Sequence, residues 1–298
     1  MFKVNEDEIN TRIDVFLSKK AGISRSKIQD LINTGNVLVN NNIVKNNYKV
    51  ELNDEITLNY KEKENTFKKE KMDLDIIYED SDIIVINKPN GLVVHPAPGN
   101  YEHTLANALS YYSDSLSDIN GEFRPGIVHR IDAYTTGLLV IAKNNKAHEI
   151  LAKELIDKKI NRTYIALVWG IINEETGTID APIGRDKKDR KKMNVVSDGK
   201  KAITHFKVLK RYNNATLLEI NLETGRTHQI RVHMNYINHP IVNDPVYGNK
   251  KIIDKSGQML HAFKLQLIHP KTNELMTFKA ELPDKFNNIL KLFEESDL

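Results

Sequence analysis

The spacing of apolar and polar positions separates a short N-terminal region of mixed elements from a longer region in which strands dominate. Helical periodicity predicts a helix over 12–20 and another from Ser24 through Asn33. Ser24 is placed to cap the second, because its hydroxyl can accept from a backbone amide left unpaired in the first turn, and Gly35 sits where a helix end requires a positive φ. Val37, Val39, Ile43, Val50, Ile56 and Leu58 then predict short strands divided by asparagine-rich turns. Later apolar runs at 83–86, 137–141, 163–168, 204–209 and 216–220 read as strands. Two more helices are expected. The first, 144–158, carries Ala147, Ile150, Leu151 and Leu155 on one face. The second, 227–236, buries Ile230, Met234 and Ile237 and turns Arg231 toward an open face.

Residues 61–71 hold five lysines, three glutamates and Phe67 as the one apolar side chain, so the stretch predicts a linker. The expected organisation is a small domain over 1–60, a lysine-rich linker over 61–71 and a large domain over 72–298. With 298 residues, 40% of them apolar and 28% charged, the chain has enough material for both cores.

The absence of cysteine excludes disulfides, thiolate metal sites and a cysteine nucleophile. The spacing of His129, His228, His233 and His261 matches no zinc motif, and neither a Gly-x-Ser-x-Gly elbow nor a phosphate loop occurs. No metal or cofactor is expected. No apolar run approaches the ~18 residues that a membrane helix needs, and the first residues lack the apolar stretch of a signal peptide. A cytoplasmic protein without a membrane partner is therefore expected. The net charge of +3, from 43 basic and 40 acidic residues, identifies no partner. Its distribution is more informative. Arg185, Lys187, Lys188, Arg190, Lys191, Lys192, Lys200 and Lys201 face three aspartates, a cluster suited to a polyanion such as RNA and equally compatible with a solvated loop.

The centre of the chain, Gly126-Ile-Val-His-Arg-Ile-Asp-Ala-Tyr-Thr-Thr-Gly-Leu-Leu-Val-Ile-Ala-Lys143, sets Arg130, Asp132, Thr135 and Thr136 in a polar turn between apolar segments. A lone aspartate in a turn is by default a local hydrogen-bond acceptor. Here His129-Arg-Ile-Asp132 with Thr135-Thr-Gly137 resembles the signature of the pseudouridine synthases that modify large-subunit ribosomal RNA. The likeness continues in order through Asn87-Lys-Pro-Asn-Gly-Leu-Val-Val-His95-Pro-Ala-Pro-Gly, Arg162-Thr-Tyr164, Gly225-Arg-Thr-His-Gln-Ile-Arg231-Val-His and His239-Pro-Ile-Val-Asn-Asp-Pro-Val-Tyr-Gly248. Positions 133 and 134, Ala and Tyr, depart from the polar or charged residues of many relatives. The first sixty residues resemble the RNA-binding module first known from a small-subunit ribosomal protein, here termed S-four-like.

The resemblance implies an α+β protein: a pseudouridine synthase fold with a bent, mainly antiparallel mixed sheet and central cleft, preceded by a small S-four-like α/β RNA-binding module. It implies Asp132 as nucleophile, Arg231 as its ion-pair partner, and Tyr164 against the target base with its hydroxyl near carbon 5. Arg130 would hold the flipped nucleotide or fill its place. His129, Arg226, Arg185, Lys187 and Lys188 would contact RNA, as would Arg25, Ser26 and Lys27 of the module. The implied partner is structured RNA, specifically large-subunit ribosomal RNA or its assembling particle, acted on by a monomer. Two alternatives remain open at this point: the same chemistry on transfer RNA, and a non-catalytic RNA-binding or ribosome-assembly factor.

Overall fold

A computed structural model describes residues 1–60, 67–97, 99–189, 192–248 and 252–295, and the chain divides into two units, Met1–Asn65 and Thr66–Leu298. In the first unit, helices form at Ile13–Ala21 and Arg25–Asn33. Gly22 closes the earlier helix at φ 69°, and the Ser24 hydroxyl accepts from the Lys27 amide at 3.4 Å. Ile13, Phe16, Leu17, Ile28 and Ile32 pack with Val37, Val39, Val50 and Ile56 into one small core. The sheet beneath has four strands, with Glu55–Leu58 between Phe2–Lys3 and Val37–Val39, and Asn42–Ile43 at the edge beyond the latter. Buried Asp14 ties the helices together by accepting from Arg12, Arg25 and Gln29.

Part of the expected linker 61–71 falls on described residues. Residues 61–66 lie outside the described residues, but 67–71 pack onto the second unit. Phe67 meets the ring of Phe123 edge-on at 5.8 Å, Lys68 and Lys69 pair with Glu102 and Asp114, and the Lys68 carbonyl accepts from Asn107 at 2.7 Å. The apolar anchor and the acidic partners, both distant in sequence, convert a charge-rich stretch into ordered structure.

The second unit is built on a nine-stranded sheet. Its order is Ile76–Glu79, Ile83–Lys88, Thr136–Ala142, Leu260–Ile268, Asn161–Trp169, Ala215–Leu222, Ile203–Arg211 and Thr176–Asp180, with Leu275–Lys279 branching from Leu260–Ile268. Every pairing is antiparallel except that of Thr136–Ala142 with Leu260–Ile268, so the sheet is mixed and the fold is α+β. Both faces are covered: Ile84, Ile86, Leu139 and Ile141 belong to one core, and Ile83, Val85, Leu138 and Val140 to the other. This explains why 83–86 and 137–141 are continuous apolar runs and not alternating ones.

Asn145–Ile156 covers the second face, its Asn144 cap accepting from the Ala147 amide at 2.9 Å. Leu105–Tyr112, Gln229–Tyr236 and Asp284–Glu295 contribute to the first core. Where the parallel pair meets, Gly137 has φ 106° and a side chain there would strike the Ala262 carbonyl. Glycine is therefore required for the two central strands to approach. A short ribbon, Ile183–Arg185 with Met193–Val195, stands apart from the main sheet.

Candidate active site

The loop before Thr136–Ala142 carries Asp132, and contacts from three directions fix it. The Ala133 carbonyl accepts from the Gly91 amide at 2.9 Å and from Lys88 Nζ at 2.8 Å, and the same ammonium donates to the Pro89 carbonyl at 2.8 Å. Gln258 donates to Thr135 Oγ1 at 3.0 Å, and Thr136 Oγ1 lies 2.7 Å from His261 Nδ1. Lys88 is fully buried, and burial pulls its pKa down to about 7 against the favourable charge of Asp132.

Arg231 departs from its expected open face. The helix Gln229–Tyr236 is enclosed on every side over its first six residues, and Arg231 is only 4% exposed. A stripe-and-face reading fails here because the supposed polar face is covered by two carboxylates. Arg231 Nη1 donates to Asp132 Oδ2 at 2.9 Å, while Nε and Nη2 form a fork on Asp244 at 2.7 and 2.9 Å. Asp244 also accepts from the Val246 and Tyr247 amides. Burial opposes the guanidinium charge, but the hydrogen bond and charge of Asp244, followed by those of Asp132, outweigh it and raise the pKa.

Tyr164 lies in Asn161–Trp169 and is 5% exposed. Residues 163–168 are all buried, so alternation along this strand does not separate a functional face from a core face. The cavity does: Tyr164 lines it together with Arg130, Asp132, Arg162, Arg226, His228 and Arg231. Burial raises the phenol pKa, Arg162 opposes the rise and Asp132 adds to it, so the ring rests as a neutral phenol.

Arg130 is exposed at the rim, its Nη1 3.4 Å from His95 Nε2, and exposed Arg226 donates to the Lys201 carbonyl at 2.9 Å. His129 is turned inward, contrary to an RNA contact. Its Nε2 accepts from the Val140 amide at 3.2 Å and its Nδ1 is sealed from solvent, so the ring offers RNA no polar atom. Burial, with the charge of Arg162, lowers its pKa to about 3. Arg185 ends the first strand of the ribbon and Lys187 and Lys188 follow it, exposed, with Lys187 3.9 Å from Asp198. Arg190 and Lys191 of the same basic run lie outside the described residues. In the first unit, Ser26 and Lys27 are exposed, whereas Arg25 is partly committed to Asp14 at 3.0 Å.

Sequence reasoning does not single out Lys88, Arg162, His228 or Asp244. Each lies inside one of the family-like motifs, and the available signals are an isolated lysine closing an apolar strand and a second aspartate in the Asn-Asp-Pro stretch. Among the described residues, one group of potential metal ligands gathers, Asp80, Asp82 and His269. His269 Nδ1 accepts from the Lys271 and Thr272 amides, which places its proton on Nε2, toward Asp80. That group is an internal hydrogen-bond network of the strand ends.

The cavity thus sets a carboxylate clamped by a buried arginine beside further arginines at its rim, a site with a fixed negative charge and a basic approach. Residues 82–236 match the RNA pseudouridylate synthase family, and residues 11–56 match the S4 domain. The chain is 51% identical to an uncharacterized RNA pseudouridine synthase of Bacillus subtilis, covering 96% of this chain and 95% of that one. It is 42% identical to ribosomal large subunit pseudouridine synthase D of Neisseria meningitidis, covering 94% and 78% respectively. The solved structure of human RNA pseudouridylate synthase domain containing 1 superposes with a TM-score of 0.58 at 25% identity, over 75% of this chain and 96% of that one. The chain belongs to the RNA pseudouridylate synthase family, isomerases that convert uridine to pseudouridine in RNA, and an S4 RNA-binding domain precedes its catalytic unit.

Proposed function

We propose that the protein isomerises uridines of large-subunit ribosomal RNA, as free RNA or within an assembling particle, acting as a cytoplasmic monomer in ribosome biogenesis. The name of the Neisseria relative supports this substrate. The observation that carries the catalytic reading is the 2.9 Å pair between Arg231 and Asp132 on the cavity wall that Tyr164 also lines.

The reaction breaks the bond from the ribose C1′ to N1 of uracil, turns the base, and joins C1′ to C5; the hydrogen lost from C5 is balanced by one gained at N1. Asp132 is the nucleophile of this sequence, paired with the permanent charge of Arg231. Tyr164 lies against the uracil ring, and its hydroxyl takes part in moving the C5 proton, with Arg162 beside it to ease transient loss of the phenolic proton. The uridine must first leave its stack, at a cost of a few kcal/mol that a loop or bulge lowers, and Arg130 at the rim is placed to hold the strand that remains. Arg226, Arg185, Lys187 and Lys188, with Arg25, Ser26 and Lys27 of the S4 domain, supply phosphate contacts.

The test is incubation with unmodified large-subunit ribosomal RNA and, separately, unmodified transfer RNA, followed by pseudouridine mapping through chemical labelling and primer-extension stops. Stops on ribosomal RNA that vanish with Asp132→Ala are the expected result. Stops on transfer RNA alone would replace the substrate, and binding without stops on either RNA or on a ribosomal precursor particle would favour a binding factor.

A further inference from the structure

His228 is a cavity residue that the chemistry above leaves unused, and several independent observations converge on it. Its ring lines the cavity beside Asp132 and Arg231. Its backbone is left-handed, φ 56° and ψ 20°, a conformation that non-glycine residues adopt at a cost and that clusters at functional sites. The residue occupies the cap position of Gln229–Tyr236, yet its side chain caps nothing. Its Nδ1 is turned instead to Tyr247 Oη.

Its hydrogen bonding favours one tautomer. Tyr247 Oη accepts the Met193 amide at 2.9 Å and lies 3.0 Å from His228 Nδ1. A phenol has one proton, so the arrangement that uses it gives that proton to Nδ1 and leaves the imidazole hydrogen on Nε2. Nε2 faces Asp132 Oδ1 at 3.9 Å, whereas Arg231 bonds Oδ2, the other oxygen. The alternative tautomer would aim a ring lone pair at a carboxylate and leave the phenolic hydrogen without this acceptor. Burial, together with the charges of Arg231 and Arg130, keeps the ring neutral against the pull of Asp132 and Asp244.

We propose that His228 is a positioning residue for the nucleophile: its Nε2–H, set by Tyr247, closes onto Asp132 Oδ1 as the target nucleotide enters, so that the carboxylate is held at both oxygens. A distance of 3.9 Å is too long for a hydrogen bond in the empty site, and catalytic contacts commonly tighten when substrate binds. Holding both oxygens stops rotation about the Cβ–Cγ bond, and a lone pair of Oδ1 remains for the reacting atom. The inference rests on the functional reading given above.

Two measurements test it. In the free full-length protein, long-range nitrogen–proton NMR of the imidazoles, with His228 assigned by the loss of its signals in His228→Gln, is expected to show a neutral ring protonated at Nε2. Tyr247→Phe should mix the tautomers. In single-turnover assays on transcribed large-subunit ribosomal RNA, His228→Phe should slow pseudouridine formation at least ~10-fold, as removal of an oriented donor does, with RNA affinity unchanged. His228→Gln, which keeps an N–H at similar reach and makes the same backbone demand, should recover most of the rate. A proton found on Nδ1, or a His228→Phe rate equal to that of the unmutated protein, overturns the proposal. If the unmutated protein forms no pseudouridine, the functional reading falls, and the tautomer still upholds or overturns the arrangement around His228.

Discussion

Asp244 takes two of the guanidinium nitrogens of Arg231, at 2.7 and 2.9 Å, and so aims the third at Asp132. Because Asp244 is itself pinned by the Val246 and Tyr247 amides, the direction of the Arg231–Asp132 bond is set from behind, by a residue outside the cavity lining. Asp244→Ala should leave a buried guanidinium half-paired and cost about 3–5 kcal/mol in urea denaturation. Turnover should fall with it. Arg231→Lys should fail to substitute, since an ammonium cannot make the fork. Unchanged stability of the Asp244 variant would mean that the fork is not what holds Arg231.

Tyr164→Phe keeps the buried ring and removes the hydroxyl. If the hydroxyl moves the C5 proton, single-turnover rates should drop on the order of 100-fold while RNA affinity stays level. Tyr164→Ala should add a stability loss of about 3 kcal/mol through the cavity it opens. A Phe variant as fast as the unmutated protein would confine Tyr164 to stacking.

Asp14 gives the S4 domain an acid-sensitive joint. Burial alone would raise its pKa, but the hydrogen bonds from Gln29, Arg12 and Arg25 outweigh burial and lower it from 3.8 to about 2. A carboxyl depressed on folding stabilises fully above its unfolded pKa and loses that contribution as pH falls through the folded value. The loss therefore runs from pH 3.8 down to about 2. Asp14→Asn should cost about 2 kcal/mol near neutrality and flatten acid unfolding in that window, followed by circular dichroism of the full chain.

Lys187→Glu with Lys188→Glu tests the ribbon as a phosphate-binding element. Affinity should fall by a similar factor for RNAs of different sequence, and the slope of log affinity against log salt should shrink by roughly one for each phosphate that the variant no longer neutralises. An unchanged slope would return this stretch to the status of a solvated loop.

Local features are readable in the sequence, and distant pairings are opaque. The Ser24 cap, the positive φ of Gly35 and the Asn144 helix start follow from single residues and their immediate neighbours, and the structure has all three. Arg231 is misplaced by periodicity, which can tell which face of a helix is apolar but not that a carboxylate 99 residues upstream and another 13 residues downstream will cover the polar one. The motif around His129 points to RNA, whereas the Val140 amide across the turn claims its ring. The helix Asp284–Glu295 has a clear amphipathic pattern in Phe286, Ile289 and Phe293, all buried, yet no motif marks it and the expected helices do not include it.

The parallel pairing of Leu260–Ile268 with Thr136–Ala142 carries a consequence for biosynthesis. On the ribosome the chain emerges from its N-terminus, so residues 136–142 and 161–169 are exposed long before the strand that must lie between them. During that interval two partial sheets carry open, apolar edges, the state most exposed to wrong pairing. Gln258 and His261, which anchor Thr135 and Thr136, arrive with the same late strand. The loop that carries Asp132 is therefore set among the last events of synthesis, and a nascent chain stalled before residue 260 is expected to be both inactive and dependent on chaperones.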